Sequence, residues 1–264
     1  MSDPGRYATE RSPKLAAVYT GVRRPLISLI VPVWNDEELI VDLVNSLQVD
    51  PESAEWIVVA VRPGKSLCEL HRRGVIHLIS CDKPSRSTQM NAGAAQARGA
   101  LFCFHHADSR LSTEHIIALK KTARNHAISG GAFYRHFDNR RIDVVLLENL
   151  VRRLNSLAGP LFGDQSIFVR ASVFQGLGGF ADIPLMEDIE FSRRLRRVGN
   201  IVLLDPPLWS SPRRFHCLGK WRTSLLNFVL IGLFYSGVDP CTLHKWYYRV
   251  LKGSVSIPPR EGAP

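Results

Sequence analysis

Short apolar runs alternate with helix-type segments through the first half of the chain. Each run has a length typical of a buried strand. The segment after the first run carries apolar residues at helical spacing, and the segment before the fourth is rich in alanine. This alternation predicts an α/β fold with a single Rossmann-like, mostly parallel sheet flanked by helices. The predicted strands cover residues 26–33, 55–61, 75–79 and 101–104.

Single residues in this half predict where helices begin and end. Ser66 suits the N-cap of a short helix that continues to His71, because its hydroxyl can accept a backbone N–H. Gly99 follows the alanine-rich helix predicted for 88–98, at a position where glycine commonly terminates a helix. A further helix is predicted around 113–124.

The second half has a less regular pattern. Its apolar segments predict strands, helices and one glycine-rich turn, and the last strand is followed by a basic loop that contains Arg213 and Arg214. The strands are predicted for 130–137, 166–169 and 201–204, the helices for 142–157 and 184–199, and the turn for 176–180.

Residues 221–238 form the most apolar stretch of the chain, interrupted by Asn227. A membrane span needs about 20 apolar residues, so a span is the least favoured interpretation. A helix packed on the core and a helix in a membrane interface are the alternatives. Trp221 and Trp246, close to Arg222 and Lys245, fit peripheral membrane contact by a pair of C-terminal helices. They fit a contact in a homo-oligomer equally well.

The charge and the cysteine content indicate which partners and which cellular compartment to expect. The 264 residues carry a formal charge of +10, which favours an anionic partner such as a phosphorylated substrate or an anionic membrane face. The sequence contains no RNA-binding, helix-turn-helix or zinc pattern, so no specific nucleic-acid partner is predicted. Five scattered cysteines suggest neither disulfides nor zinc, which favours a cytoplasmic protein. Residues 1–25 are predicted to be a flexible basic leader without a secretory signal.

The most informative carboxylate is Asp108, which lies just past the fourth predicted strand. The carboxyl ends of parallel strands are where open α/β sheets bind ligands. A carboxylate there can hold a divalent cation, which can hold phosphates. His105 and His106 precede it, and a strand-end histidine without a ligand role is the simpler interpretation of His105.

Two acidic clusters have a structural alternative to chemistry. Asp36 and Glu37 precede one predicted helix, and Glu187 and Asp188 precede another. Negative charge is favourable in the first turn of a helix, so these residues could act as caps alone.

Four segments together resemble the family 2 glycosyltransferases of the GT-A fold, in a short soluble bacterial subgroup. Each is weak alone, but their order and separations make a specific signal. The resemblance spans about 26–248 and implies a GT-A domain over 26–215, with a nucleotide-binding half (26–125) and an acceptor half (126–215). A helical C-terminal extension would occupy 216–264. The segments are PVWNDE (32–37), QMNAG (89–93), HAD (106–108) and MED (186–188), joined by GDQ (163–165).

The resemblance implies a hexosyltransferase-like enzyme that moves a sugar from a UDP- or GDP-linked donor to an acceptor hydroxyl that the sequence does not identify. It also implies a divalent cation, Mn²⁺ or Mg²⁺, and inversion at the anomeric centre. Asp108 takes the last position of the family's D-x-D motif and would bind the metal, with His106 in place of the first Asp. Asp188 would be the general base, supported by Glu187.

The resemblance also assigns residues to donor and acceptor. Asp164 and Gln165 would orient acceptor or sugar hydroxyls, with capping of the loop as the alternative. Arg213 and Arg214 are predicted to bind the diphosphate because arginine matches phosphate oxygens bidentately, with a solvated basic face as the alternative for either one. The predicted donor-binding residues are Pro32, Val33, Asn35, Glu37, Arg86, Asn91, Arg213 and Arg214.

One position departs from the broad family pattern. Many relatives end the second strand with an aspartate that reads the nucleobase, and this chain has Ala60 there. Loss of such an acceptor typically costs ~1–3 kcal/mol. The alternative function is therefore a catalytically degenerate GT-A module that binds nucleotide-sugar, protein or membrane. For either function the predicted location is the cytoplasm, with a peripheral position at the inner membrane face as the alternative.

Overall fold

The computed structural model describes residues 25–136, 159–210 and 220–254. The chain divides into two compact units. The first continues to Ala181 and includes Asp188–Ser210, and the second comprises Asp182–Glu187 and the chain after residue 210. The helix predicted for 142–157 lies outside the described residues.

The first unit follows the predicted alternation of strands and helices closely. Seven of its elements precede residue 105, and the third strand is displaced by two residues from its predicted position. They are β1 (Ile27–Val33), α1 (Glu37–Ser46), β2 (Ala54–Val61), α2 (Lys65–Arg72), β3 (His77–Cys81), α3 (Arg86–Gln96) and β4 (Leu101–Phe104).

The second half adds shorter elements to the same sheet. The two-residue strand β5 and the helix α5 were not expected from the sequence, and the final strand β8 is ten residues long instead of four. The elements are β5 (Ser109–Arg110), α4 (Thr113–Arg124), β6 (Gly130–His136), a 3₁₀ turn (Gly163–Gln165), β7 (Phe168–Arg170), α5 (Ala171–Gly176), α6 (Glu187–Val198) and β8 (Ile201–Ser210).

The eight described strands form one sheet in the order β3-β2-β1-β4-β7-β6-β8-β5. Four of its seven pairings are parallel, and those of β7 with β4 and β6, and of β5 with β8, are antiparallel. The chain leaves β1 towards β2 and β3 and returns to the other side of β1 as β4. The carboxyl ends of β1 and β4 therefore flank a topological switch point, where open α/β sheets bind ligands.

Alternating side chains of the strands build a core on each face of the sheet. In β1, Leu29 and Val31 contact one cluster and Ile30 contacts the other. Helices α1 and α4 cover the first face, and α3, α5 and α6 cover the second. Both faces are buried, so the strands read as continuous apolar runs in the sequence.

The structure corrects two predicted helix ends. The N-cap of α2 is Gly64, not Ser66. The helix α3 ends at Gln96, and Gly99 lies beyond it against the backbone of Ser28, with no left-handed conformation.

The second unit contains two described helices, α7 (Lys220–Tyr235) and α8 (Pro240–Ser254), which pack against each other. No helix among the described residues is long and apolar enough to cross a membrane. The four described cysteines, Cys68, Cys81, Cys103 and Cys241, are all free thiols.

Candidate active site

Two strands end at the switch point and carry the residues of the candidate site. After β1 the chain passes from the buried Val33 to the exposed Asn35, and after β4 it passes through His105 and His106 to Asp108. Because β1 and β4 are parallel neighbours, these two segments emerge side by side at one edge of the sheet. The predicted donor residues Pro32 and Val33 end β1 at this edge.

A buried glutamine holds this edge together. The Gln89 side-chain amide donates to the carbonyl oxygen of Val33 at 3.0 Å and to that of Val59 at 2.8 Å. It thereby joins the carboxyl end of β1 to that of β2 from the helix α3. The residue is 3% exposed, so the amide replaces hydrogen bonds to water that these carbonyls would otherwise lose.

His105 is a structural residue, as the simpler interpretation of the sequence expected. Its ring is fully buried, with Nε2 3.1 Å from the carbonyl oxygen of Ser109 and Nδ1 2.7 Å from the hydroxyl of Ser166. A carbonyl only accepts, so Nε2 carries the proton and Nδ1 accepts from Ser166. Burial lowers the pKa of His105 to about 3. The ring is therefore neutral at physiological pH and positions the turn that precedes Asp108.

His106 lies beside Asp188, although the two residues are 82 positions apart in the sequence. Both flank Gly163: a Cβ added to this glycine would lie 2.7 Å from Nε2 of His106 and 3.3 Å from Oδ2 of Asp188. The backbone N–H of Gly163 also donates to Oδ2 of Asp188 at 2.7 Å. The HAD, GDQ and MED segments therefore converge on one point, which explains why a residue without a side chain stands there.

The carboxylate of Asp188 is well suited to accept a proton. The residue as a whole is half-buried. Burial raises its pKa, opposed by hydrogen bonds from the backbone of Gly163 and Ile189 and by the charge of Arg86, while Asp164 raises it further. The two hydrogen bonds use one lone pair on each oxygen, so both oxygens can accept another proton donor.

Arg86 lies at the N-terminus of its helix, where the helix dipole makes a positive charge unfavourable. It is the first residue of α3, capped by Ser85, and its side chain is exposed. A cation in the first turn opposes the helix dipole and typically costs about 0.3–1 kcal/mol. Its electrostatic effect on Asp188 places its charge near the candidate site. The charge of Arg86 therefore lowers the pKa of Asp188 and gives α3 no dipole stabilisation.

On the opposite side of Gly163 the side chain of Asp164 is held by Arg135, which lies near the end of β6. The Arg135 guanidinium also lies over the ring of Phe162 at 5.5 Å. Asp164 keeps about a third of its side-chain surface exposed (34%), so it remains accessible. Gln165 is 3% exposed and accepts from the backbone N–H of Phe162 at 3.0 Å, which closes the turn in the manner of a cap.

Asp108 differs from the other carboxylates of this edge. It is half-buried, and its carboxylate makes no hydrogen bond or ion pair within the described part of the chain. Among the described residues no group of three or more His, Cys, Asp or Glu side chains converges as a metal site. Asp108 and His106 could provide one oxygen and one nitrogen ligand, a set that would suit Mn²⁺ if phosphates and water completed the shell.

Two predicted donor-binding residues are engaged by backbone groups. Glu37 accepts from the N–H of Gly64 at 2.7 Å and of Leu67 at 3.2 Å, so it caps α2 across the β2–α2 loop. Asn91 exchanges hydrogen bonds with both backbone groups of Phe180, at 2.8 and 2.9 Å. Both residues therefore organise loops around the edge of the sheet.

The remaining predicted positions divide between the described and the undescribed chain. Arg213 and Arg214 lie outside the described residues. Glu187 is 6% exposed and begins α6. Ala60 lies in the buried part of β2, and two positions later Arg62 has a left-handed backbone with φ of 53°. The cation at Arg62 is exposed, so this strand end presents positive charge where the broad family pattern has an aspartate.

Sequence reasoning missed Arg135 and Gln89, and it quoted Gly163 only as part of a motif. Arg135 is one of several basic residues near the end of a predicted strand, and its partner is 29 positions away. Gln89 was part of the quoted QMNAG segment, but its two carbonyl partners lie on separate strands. No local pattern in the sequence reports either contact.

A sequence model described as "Glycosyl transferase family 2" matches residues 28–177. No curated protein matches the chain. The matched segment contains β1 to β7 and hence His106, Asp108 and Gly163. It ends before Asp188.

Several solved structures share the fold. One is the mannosyltransferase PcManGT from Pyrobaculum calidifontis in complex with GDP-Man and Mn²⁺, with a TM-score of 0.58 and 16% identity over 83% of this chain and 66% of that chain. Another is S. aureus TarS 1–349 in complex with UDP-GlcNAc, with a TM-score of 0.53 and 16% identity over 70% and 58%. A third is glucosyl-3-phosphoglycerate synthase from Mycobacterium tuberculosis with Mn²⁺, UDP and phosphoglyceric acid, with a TM-score of 0.50 and 17% identity over 72% and 71%.

These likenesses confirm the predicted GT-A fold. The chain spans about two thirds of the mannosyltransferase (66%) and a smaller share of TarS (58%). At identities below 20% the comparison carries the architecture of the sheet and its flanking helices, not the identity of individual site residues.

Proposed function

Because this chain belongs to glycosyl transferase family 2, we propose that it transfers a sugar from a nucleotide-sugar donor to an acceptor hydroxyl. One observation carries the proposal. Asp188, a half-buried residue with a raised pKa, lies beside His106 at the switch point of the sheet. Solved structures of the same fold hold GDP-Man and UDP-GlcNAc, which supports a nucleotide-sugar as the donor.

The donor diphosphate is proposed to lie over the carboxyl ends of β1 and β4. Arg86 would neutralise part of its charge from the first turn of α3, where a cation opposes the helix dipole. The N-terminus of this 11-residue helix adds partial positive charge in the same place. Pro32, Val33 and Asn35 would line the donor side at the end of β1.

A divalent cation is proposed to be held by Asp108, with His106 as a second ligand. Mn²⁺ fits this set better than Mg²⁺ because imidazole is a softer ligand than water or carboxylate. When bound, the cation would supply Lewis-acid stabilisation of the leaving diphosphate. Two protein ligands leave most of the shell to phosphate oxygens and water, so cation binding should depend on the nucleotide.

Asp188 is proposed to act as the general base of an inverting transfer. Its ionised carboxylate would accept the proton of the acceptor hydroxyl as that oxygen attacks the anomeric carbon and the nucleoside diphosphate departs. A raised pKa makes Asp188 a stronger base than an exposed aspartate, which favours proton transfer. A positioned base typically contributes about 10²–10⁴-fold to the rate.

The acceptor is proposed to approach from the side of Gly163. Asp164, oriented by Arg135, would accept hydrogen bonds from acceptor or sugar hydroxyls. Gln165 would act through the turn it closes, since its side chain is buried. Glu187 would support Asp188 from the preceding position of α6.

The experiment that tests this function separates binding from turnover. Nucleoside diphosphates are titrated into the protein with Mn²⁺ by calorimetry, and release of nucleoside diphosphate from a panel of UDP- and GDP-sugars is measured. Asp108→Ala should abolish Mn²⁺-dependent nucleotide binding. Asp188→Asn should retain that binding and lose at least about 10²-fold in turnover. Asp42→Asn, an exposed aspartate on α1, is the matched control and should change neither measurement.

Tight nucleotide binding without turnover of any donor would support a degenerate binding module in place of an enzyme. Equal binding by Asp108→Ala and the parent protein would show that the cation assignment is wrong.

A further inference from the structure

The second unit contains a helical hairpin, α7–α8, and the turn between its helices lies within the described residues. Gly237 ends α7 with a left-handed backbone (φ of 90°), and the N–H groups of Gly237 and Val238 return to the carbonyls of Phe234 and Leu233. This is a Schellman termination, which requires glycine at its left-handed position. Asp239 then caps α8 by accepting from the N–H of Thr242 at 3.0 Å. Two helices joined by so short a turn pack as a pair.

Three large apolar side chains of α7 are exposed. Phe228, Val229 and Tyr235 are 76%, 47% and 50% exposed, whereas Leu230 is 3% exposed. Positions 228 and 235 are seven residues apart and share a face, and Leu230 lies on the opposite face. Neighbouring large apolar side chains that are exposed together are typical of a surface that binds protein or lipid. The exposed face of α7 is therefore a candidate binding surface.

The exposed side of α8 combines aromatic, apolar and basic side chains. Trp246 and Val250 are 43% and 44% exposed and stand one turn apart. Lys245 and Arg249 are also exposed and occupy the adjacent positions of the same two turns. The face therefore carries two cations next to a tryptophan and a valine. Such a combination is typical of helices that lie in the interface of an anionic membrane.

The charge of the hairpin indicates which kind of partner fits this face. Between residues 220 and 254 the chain has five Lys or Arg residues and one acidic residue, Asp239. A second copy of the chain docked symmetrically on this face would bring Lys245 and Arg249 of both copies together, because an isologous interface repeats the same surface. An anionic surface has the complementary charge.

We propose that the hairpin α7–α8 docks the protein on an anionic lipid bilayer. The exposed faces of α7 and α8 would lie in the headgroup plane, with Phe228 and Trp246 entering the boundary of the acyl chains and Lys245 and Arg249 contacting lipid phosphates. The basic residues supply attraction that falls off within a Debye length, and the apolar residues supply burial. None of these residues is among those proposed for catalysis, so this inference adds a site of action to the proposed function.

Co-sedimentation of the full chain with vesicles tests the proposal. The protein should bind vesicles of phosphatidylcholine mixed with phosphatidylglycerol, bind phosphatidylcholine alone much more weakly, and dissociate at high salt. The double variant Lys245→Gln/Arg249→Gln should lower the affinity by about 25-fold, since each cation contributes about fivefold near an anionic surface. Phe228→Ser should lower it by about tenfold.

The control is Ile117→Ser on α4, which removes a comparably exposed apolar side chain (59%) from the first unit. It should bind vesicles as the parent protein does. Quenching of tryptophan fluorescence by brominated lipid, lost in Trp246→Phe, would independently place Trp246 in the bilayer. Absence of binding to anionic vesicles would overturn the proposal. So would sedimentation-equilibrium data showing a dimer that Phe228→Ser dissociates.

Discussion

The two edges of the sheet differ in how far protein groups occupy the hydrogen-bond acceptor sites of their carboxylates. At the amino ends of β1, β2 and β4, Glu55 accepts from the hydroxyl of Ser28 at 2.7 Å and from the backbone and guanidinium of Arg98 at 2.7–2.9 Å. Ser28 in turn accepts from the N–H of Gly99 at 2.9 Å. The cluster is closed, because protein groups use the acceptor sites of both Glu55 oxygens.

At the opposite edge of the sheet, two carboxylates keep acceptor sites that no group among the described residues occupies. Asp108 makes no hydrogen bond or ion pair within the described residues, and Asp188 keeps free lone pairs. Arg86 stands where its own helix disfavours a cation. Charges that protein partners saturate stabilise the fold, whereas charges left unsaturated at one edge are available to a ligand. The contrast predicts that substitutions at the two edges damage different properties.

The largest expected effect is on stability at the closed edge. Glu55→Ala should lower the free energy of unfolding by about 2–3 kcal/mol, because it removes four accepted hydrogen bonds and the carboxylate that pairs with the partly buried guanidinium of Arg98. Asp108→Asn should leave it within about 0.5 kcal/mol of the parent. Urea denaturation followed by circular dichroism measures both. If Asp108→Asn cost as much as Glu55→Ala, Asp108 would have a structural role.

The second-largest expected effect is steric and concerns Gly163, which is flanked by His106 and Asp188. Gly163→Ala places a methyl group 2.7 Å from Nε2 of His106, so the imidazole or the turn must move. We expect a loss of about 1–2 kcal/mol in stability and about tenfold in kcat/KM. Gly176→Ala, whose added methyl group meets no atom within 4 Å, is the matched control. Unchanged activity in Gly163→Ala would show that this point is not part of the reacting site.

The smallest effect is a displacement of the pH profile. Asp188 must be ionised to accept a proton, so turnover falls as the pH drops through its pKa, which burial raises above the usual aspartate value. Arg86 lowers this pKa, so Arg86→Gln should move the acid limb of kcat to higher pH at saturating donor. Arg86→Lys retains the charge and should leave the limb in place. An acid limb that does not respond to Arg86→Gln would argue against coupling of the two groups.

The prediction from sequence succeeded where chemistry and periodicity are local. The apolar runs of β1, β2 and β4 located the strands, and the position of Asp108 just past β4 predicted a carboxylate at the carboxyl edge of the sheet. Predicted helix ends were less accurate. The N-cap of α2 is Gly64 and not the predicted Ser66, because Glu37, 27 residues earlier, accepts from the Gly64 N–H.

The roles of single site residues depended on distant contacts. Asn91 belongs to a recognisable motif, but its amide is bound to Phe180, 89 positions later. The geometry around Gly163 needs His106 from one strand end and Asp188 from the start of a helix. Periodicity reports which face of an element is buried, and it carries no information about which polar groups from separate elements meet.

The sequence by itself determined the class of fold, the edge of the sheet at which carboxylates gather and the family to which their motifs belong. Those properties follow from residue order, since strand length, apolar content and motif spacing are local quantities. Only the tertiary structure decided that Glu55 is saturated while Asp108 and Asp188 keep acceptor sites unoccupied by the described residues, and that Gly163 is the point on which three motifs converge. A carboxylate becomes structural or chemical according to how many of its lone pairs the folded chain occupies, and that number exists only after distant segments have packed together.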